Sequence, residues 1–241
     1  MKSARVSTPA SAPWLAIAAL VSTWLLLDIV AQIARGEVLE SWQISGARAT
    51  VATQAVFNVG LLWMALAASK LILLARRQTF ADLGWRQPAS RPAWLLAIGL
   101  AALYVGAVGV TLGRDAELLS DWSFYRISLA VILGISAGVC SELIFRGFVM
   151  AQARDAGLGV PSQVILSSVL FALALARFGW GGTTSPDMRA IIGVAGGTAV
   201  LGAAFAGIYL VGRRSLMPAI VAHTMIDALL QPGILLLASR G

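Results

Sequence analysis

The chain is poor in the residues from which most soluble active sites are built. It has one cysteine, Cys140, so an internal disulfide is excluded. It has one histidine, His223, which rules out zinc held by three histidines; a cysteine-rich zinc site is ruled out too. Charge is scarce: 12% of residues are Asp, Glu, Lys or Arg, against about 25% in a soluble domain. Acidic residues are the rarer kind, 11 against 18 Lys and Arg. Apolar residues make up 59% of the 241 positions, and mean hydropathy is +0.83. This composition excludes an ordinary soluble core and predicts an all-α, polytopic membrane bundle.

The formal charge of +7 would suit nucleic acid. However, the basic residues sit mainly at the ends of apolar runs, where Arg and Lys orient helices and meet anionic headgroups. No compact basic domain is there to hold nucleic acid, so the partner that composition names is the lipid bilayer. The apolar run from Pro13 to Ala34 is long enough to span, and no small-residue cleavage site follows it. It reads as a span and not as a cleaved signal peptide.

A spanning helix needs about 20 mostly apolar residues, which predicts seven spans, at about 13–34, 49–75, 92–113, 126–153, 161–178, 189–211 and 216–238. The polar segment Arg35 to Arg48, with Glu37 and Glu40, is expected as a loop or as an eighth, interfacial helix over 37–47. Trp85, Trp122 and Tyr125 mark interfaces. Gly157 and Gly159 are expected to stop the fourth span and Pro161 to open the fifth. Gly193, Gly196, Gly197, Gly202 and Gly207 in the sixth are expected to permit close helix approach. With no repeat and no long linker, residues 1–241 read as one membrane domain. The Lys/Arg bias, including Lys2, Arg5 and the pairs Arg76–Arg77 and Arg213–Arg214, predicts a cytoplasmic N-terminus. The expected location is the cell membrane, plasma or inner.

Three carboxylates fall inside spans: Asp28, Glu142 and Asp227. Ionised groups at membrane depth are expensive and usually face a protein interior or a wet cavity. Asp28 has no partner by spacing and reads as a hydrogen-bonded helix contact. Glu142 and Arg146 are four residues apart, so they share a helix face and can pair. Such a pair can simply pin one helix to its neighbours. His223 and Asp227 repeat the same spacing on the last span, which makes a functional reading of both pairs more attractive. Glu142, His223 and Asp227 are metal-ligand types, but their spacing matches no zinc signature, and neither a metal nor a cofactor is expected. Cys140 reads as a small buried apolar residue, and Ser141 has no base nearby in sequence to make it a nucleophile.

Three blocks carry a resemblance. They are Ser141-Glu142-Leu143-Ile144-Phe145-Arg146-Gly147, then Leu166 to Leu175 with Phe171 inside it, then Ser215 to Asp227. In order and spacing they resemble the CPBP family, the CAAX-protease and bacteriocin-processing intramembrane proteins related to the Rce1-type prenyl-protein endopeptidase. That family's pattern is Glu-Glu-x-x-x-Arg, then Phe-x-x-x-His, then His-x-x-x-Asn/Asp. Leu83-Gly84-Trp85-Arg86 also looks like the family's region ahead of the core. The motif-bearing resemblance covers about residues 126–232, leaving 1–125 as N-terminal spans. It implies a helical CAAX-protease-like core. It also implies a site in which the first Glu and the second-block His activate water, while the third block stabilises the oxyanion. The chain departs from the pattern twice: Ser141 stands at the first Glu and Leu175 at the His. Glu142, Arg146, His223 and Asp227 are retained.

Three readings follow. In the first, the chain is catalytically impaired and acts as a membrane scaffold or regulatory subunit that grips a membrane-protein partner or a lipidated or transmembrane peptide. In the second, it is an active intramembrane endopeptidase using Glu142, His223 and Asp227. In the third, Asp28, Glu142 and Asp227 relay protons or ions in a transporter, against which the lack of a repeat argues.

Overall fold

Apolar residues surround each long segment on all sides, so the segments can form helices buried in lipid, where every backbone group must be satisfied within the segment. The computed structural model describes residues 12–43, 47–112, 124–176 and 188–238. Among the described residues the helices are α1 (Ala12–Ser41), α2 (Ala47–Ala75), α3 (Arg91–Leu112), α4 (Phe124–Ser141), α5 (Met150–Asp155), α6 (Val160–Ala176), α7 (Met188–Val211) and α8 (Met217–Ala238). A π-helical stretch, Glu142–Val149, joins α4 to α5 without a break.

Among the described residues, four helical stretches are long and apolar enough to cross a membrane: Ala12–Ser41, Ala55–Ala75, Ile127–Asp155 and Ile191–Val211. Three shorter apolar helices run over Arg91–Ala107, Val160–Leu175 and Met217–Leu229. Each overlaps one of the seven expected spans. The chain is an all-helical, multi-pass membrane protein.

Two expectations are corrected. The segment from Arg35 onward is not a loop or a separate interfacial helix, because α1 keeps its helix to Ser41. At 1.5 Å per residue its 30 residues reach about 45 Å, well beyond a hydrocarbon core of about 30 Å. The polar last turns with Arg35, Glu37 and Glu40 can therefore clear the core without ending the helix. Second, most glycines of α7 do not mediate close approach: a Cβ at Gly193, Gly196, Gly197 or Gly207 would meet nothing within 4 Å. The expected loops at 114–121 and 179–186, with Trp122, lie outside the described residues, as do Lys2 and Arg5.

The end of the bundle that carries the arginine pairs is closed by hydrogen bonds between loops. α5 stops as expected, with Gly157 at φ +84° donating to Arg154 O and Leu158 donating to Ala153 O, a Schellman motif. α2 and α7 stop the same way, but with Arg77 (φ +54°) and Arg213 (φ +57°) in the left-handed position. A non-glycine residue there costs about 1–2 kcal/mol, and a cation beside the C-terminal carbonyls offsets part of it. Gly84, at φ +99°, lies against the turn after α7, where a Cβ would overlap the carbonyl of Arg214. The Leu83-Gly84-Trp85 segment is held there by Tyr209 Oη donating to Leu83 O (3.1 Å) and Ser215 Oγ donating to Gln87 O (2.7 Å).

Two apolar clusters fill the bundle. The larger joins Trp24, Leu61, Cys140, Phe145, Phe148, Phe171 and Tyr209. The smaller packs Ala93, Ala97 and Ala101, one face of α3, against Phe205 and Ile208 of α7 and Ala219 and Ala222 of α8.

Candidate functional site

The site is assembled where α4 crosses α8. Gly134 and Gly138 lie one turn apart on α4 and let the two backbones touch. A Cβ at Gly134 would sit 2.7 Å from Ala228 N, and one at Gly138 would sit 2.8 Å from Thr224 N and 2.9 Å from Ile220 O. A small-xxx-small pair of this kind permits the closest helix approach in lipid. It also fixes the register: Glu142 follows Gly138 by one turn, and His223 immediately precedes Thr224.

His223 Nδ1 consequently lies 2.8 Å from Glu142 Oε1, within hydrogen-bond distance. A carboxylate acceptor requires the proton on Nδ1. Arg146 Nη1 lies 3.2 Å from the same Oε1, so one carboxylate oxygen faces both cation-forming groups. Nη1 makes no aligned hydrogen bond, so its contact with Glu142 is coulombic. Nη2 does make one, donating to Gly202 O on α7 at 2.8 Å. On the other side of the imidazole, Nε2 is 3.7 Å from Asp227 Oδ2, outside hydrogen-bond range.

Glu142 and Arg146 lie on the π-helical stretch, all eight residues of which are buried. In a π-helix the bond runs i→i+5, so four residues fall just short of a full turn and the pair still shares one side. Wide turns of this kind are uncommon and often sit at functional sites.

Aromatic rings enclose the charges. The Arg146 guanidinium lies 4.5 Å from the centroid of Phe171 and 5.4 Å from that of Phe205, within cation–π range. His223 stacks on Phe205 (4.8 Å, 14°) and meets Phe171 edge-on (5.7 Å, 87°). Gly202 makes room for this: a Cβ there would be 3.1 Å from both Arg146 Nη2 and Phe171 Cδ1. The side chains of Glu142 and Arg146 are 0% exposed and that of His223 is 4%, whereas Asp227 is 24% exposed. Of the four, Asp227 is the most exposed. Glu142 Oε2, Arg146 Nε and Ser168 Oγ are buried without a hydrogen-bond partner. Such atoms normally cost about 1–3 kcal/mol each, so this network holds unused polar capacity.

The structure thus brings together four residues singled out in the sequence: Glu142, Arg146, His223 and Asp227. Ser141, at the end of α4, is buried. Leu175 is on α6, one turn beyond Phe171, and packs against the larger apolar cluster. Cys140 is fully buried in that cluster. Asp28 is half-buried on α1 and has an interaction there. Among the described residues, no three His, Cys, Asp or Glu side chains are grouped to hold a metal ion. Sequence reading missed Phe205; it named Gly202 as a close-approach glycine, which the structure bears out, but not as the acceptor for Arg146. Phe205 lies among small residues on an apolar helix, with no local signal separating it from a lipid-facing ring.

Residues 122–229 match the family model for type II CAAX prenyl endopeptidase Rce1-like proteins. Over this segment, less than half of the chain, the sequence is similar to the CAAX-protease family. The match takes in all three motif blocks and so covers α4, the π-helical stretch, and α5 through most of α8. Neither the curated proteins nor the solved structures yield a match. In CAAX-protease terms, the helices that carry the motif blocks converge on Glu142 and His223. The residues at the two departures from the motif, Ser141 and Leu175, cannot act as general bases at neutral pH.

Proposed function

We propose that this CAAX-protease-like membrane protein is catalytically impaired and works by binding, as a scaffold or regulatory subunit. The observation that supports this best is the engagement of Glu142, the one carboxylate left in the first motif block. Its Oε1 is held by His223 at 2.8 Å and faces Arg146 at 3.2 Å, inside a shell of aromatic rings. Hydrolysis needs a group that takes a proton from the attacking water, and each positioned base is worth about 10²–10⁴-fold. Ser141 and Leu175 stand where the resemblance puts those bases. His223 and Asp227, at the positions assigned to the oxyanion, stabilise charge only after something else generates it.

On this reading the retained ion pair and imidazole hold the helices in the family's arrangement. The occupant they shape a site for is a membrane-protein segment or a lipidated or transmembrane peptide, reached from the side of Asp227. The arginine-rich end of the bundle is proposed to face the cytoplasm.

A second reading has one observation in its favour: Glu142 Oε2 is buried, unpartnered and on the residue that bonds His223. That oxygen is a candidate base in an active endopeptidase. The experiment that separates the two readings is a peptidase assay of the purified protein in proteoliposomes against membrane-spanning and lipidated peptides. Binding without turnover supports the first reading. Robust turnover that disappears in Glu142→Ala overturns it.

A further inference from the structure

A groove of about 430 Å³ runs between α3 and α7 on the outside of the bundle. Its lining is apolar and includes Leu95, Gly99 and Leu103 of α3 and Gly207, Ile208 and Val211 of α7. On α3 these residues recur every fourth position, so they form one stripe along the helix. A Cβ at Gly99 or Gly207 would meet nothing within 4 Å. The groove is therefore space that two missing side chains leave open. From Leu95 to Leu103 it runs about 12 Å along the helix axis, the scale of a stretch of acyl chain.

One end of the groove lies at the arginine-rich end of the bundle. There Ser90 Oγ donates to Val211 O at 2.8 Å, and Gly212 lies against Ala93, tying the start of α3 to the end of α7. Arg91 begins the same α3 stripe, one turn before Leu95, and Arg213 follows Val211 by two residues. Both arginines are exposed. The acidic groups at this end are already engaged. Asp82 accepts from Thr79 N and Oγ1, and Asp155 accepts from Gln78 Nε2 and pairs with Arg154. Arg214 donates to Gln163. The charges exposed at this end include Arg91 and Arg213, each close in sequence to a residue that lines the groove.

We propose that this groove binds one anionic phospholipid. An acyl chain lies along the α3–α7 floor, and the headgroup phosphate is taken by Arg91 and Arg213. An arginine fork matches phosphate oxygens in pairs. Basic residues at the membrane surface favour a lipid of net negative charge over a zwitterionic one of the same chain length. The α7 residues that line the groove do not include Gly202 or Phe205, which contact Arg146 and His223, so this lipid site does not depend on whether the chain cuts or binds.

The test uses the full-length protein, stripped of lipid by detergent exchange. It is incubated with equal amounts of dioleoylphosphatidylglycerol and dioleoylphosphatidylcholine, and retained lipid is counted by native mass spectrometry. The expected result is one phosphatidylglycerol per chain, preferred on the order of tenfold or more. Arg91→Gln/Arg213→Gln is expected to abolish the preference while some lipid is still retained. Gly99→Leu/Gly207→Leu, which fills the groove, is expected to lose retention of both lipids with helix content unchanged. Equal retention of the two lipids by the unmodified protein overturns the proposal, whatever the variants do. So does undiminished phosphatidylglycerol retention by a folded Gly99→Leu/Gly207→Leu protein.

Discussion

His223 Nδ1 lies 2.8 Å from Glu142 Oε1, although 81 positions separate the two residues in the chain. The contact joins the first and third motif blocks, and it exists because α4 and α8 cross at glycines.

Removing Glu142 leaves Arg146 as a buried guanidinium without its counter-ion. Breaking a buried pair from one side typically costs about 3–5 kcal/mol. Glu142→Leu is expected to lower stability by about that amount in mixed-micelle unfolding. Glu142→Leu/Arg146→Met removes both charges and is expected to be less damaging than Glu142→Leu alone. Simple additivity of the two single losses would show that the pair is not coupled.

Gly138 is where the two helices touch. Gly138→Leu must push α8 away from α4, and overpacking of this sort costs about 1–3 kcal/mol or more. The control is Gly197→Ala, whose added Cβ meets open space and is expected to stay within about 0.5 kcal/mol of the parent. Equal melting temperatures for the Gly138 variant and the parent would refute the close crossing.

Phe205 stacks on His223 and lies over Arg146. Phe205→Leu keeps most of the apolar volume but removes the ring, so its loss is expected near 0.5–1.5 kcal/mol, about that of one aromatic contact. The same change paired with His223→Ala should cost little more than His223→Ala alone. A double-mutant cycle measured by chemical unfolding reads this directly.

On the proposed reading, proton transfer is the function missing at positions 141 and 175. Ser141→Glu/Leu175→His restores a carboxylate and an imidazole to the two positions that the resemblance gives to water activation. The double variant is expected to cleave membrane peptides faster than the parent, by up to about 10²–10⁴-fold for each group that is correctly placed. Each single variant should gain much less. The reading of catalytic impairment fails if the parent already cleaves as fast as the double variant.

Gly84 is where the Leu83–Arg86 segment lies against the turn after α7. Gly84→Ala places a methyl group on the Arg214 carbonyl at a backbone angle that side chains rarely adopt. The segment is expected to detach, giving a new protease-sensitive site near residues 79–90 on limited digestion. Protection equal to that of the parent would contradict the packing described here.

Composition and hydropathy by themselves determined the membrane class and where the apolar helices lie, because a bilayer demands length and apolarity and both are local properties. Gly157 and Pro161 marked a helix end and a helix start for the same reason: backbone conformation there depends on the residue itself. The order of the three blocks was enough to bring out the family, and the losses at 141 and 175 were visible as plain departures from its pattern. Sequence could not show that Arg35–Ser41 stays helical, since nothing local forces a helix to end where its polarity changes. Nor could it show which glycines matter. Gly134, Gly138 and Gly202 stand at helix crossings, while Gly193, Gly196 and Gly197 face open space, and only the neighbouring helix makes the difference. The π-helical turn, the Phe205 ring over the imidazole and the choice of Gly202 as acceptor for Arg146 were likewise decided by tertiary structure. Each depends on packing between segments far apart in the chain, and no local preference encodes it.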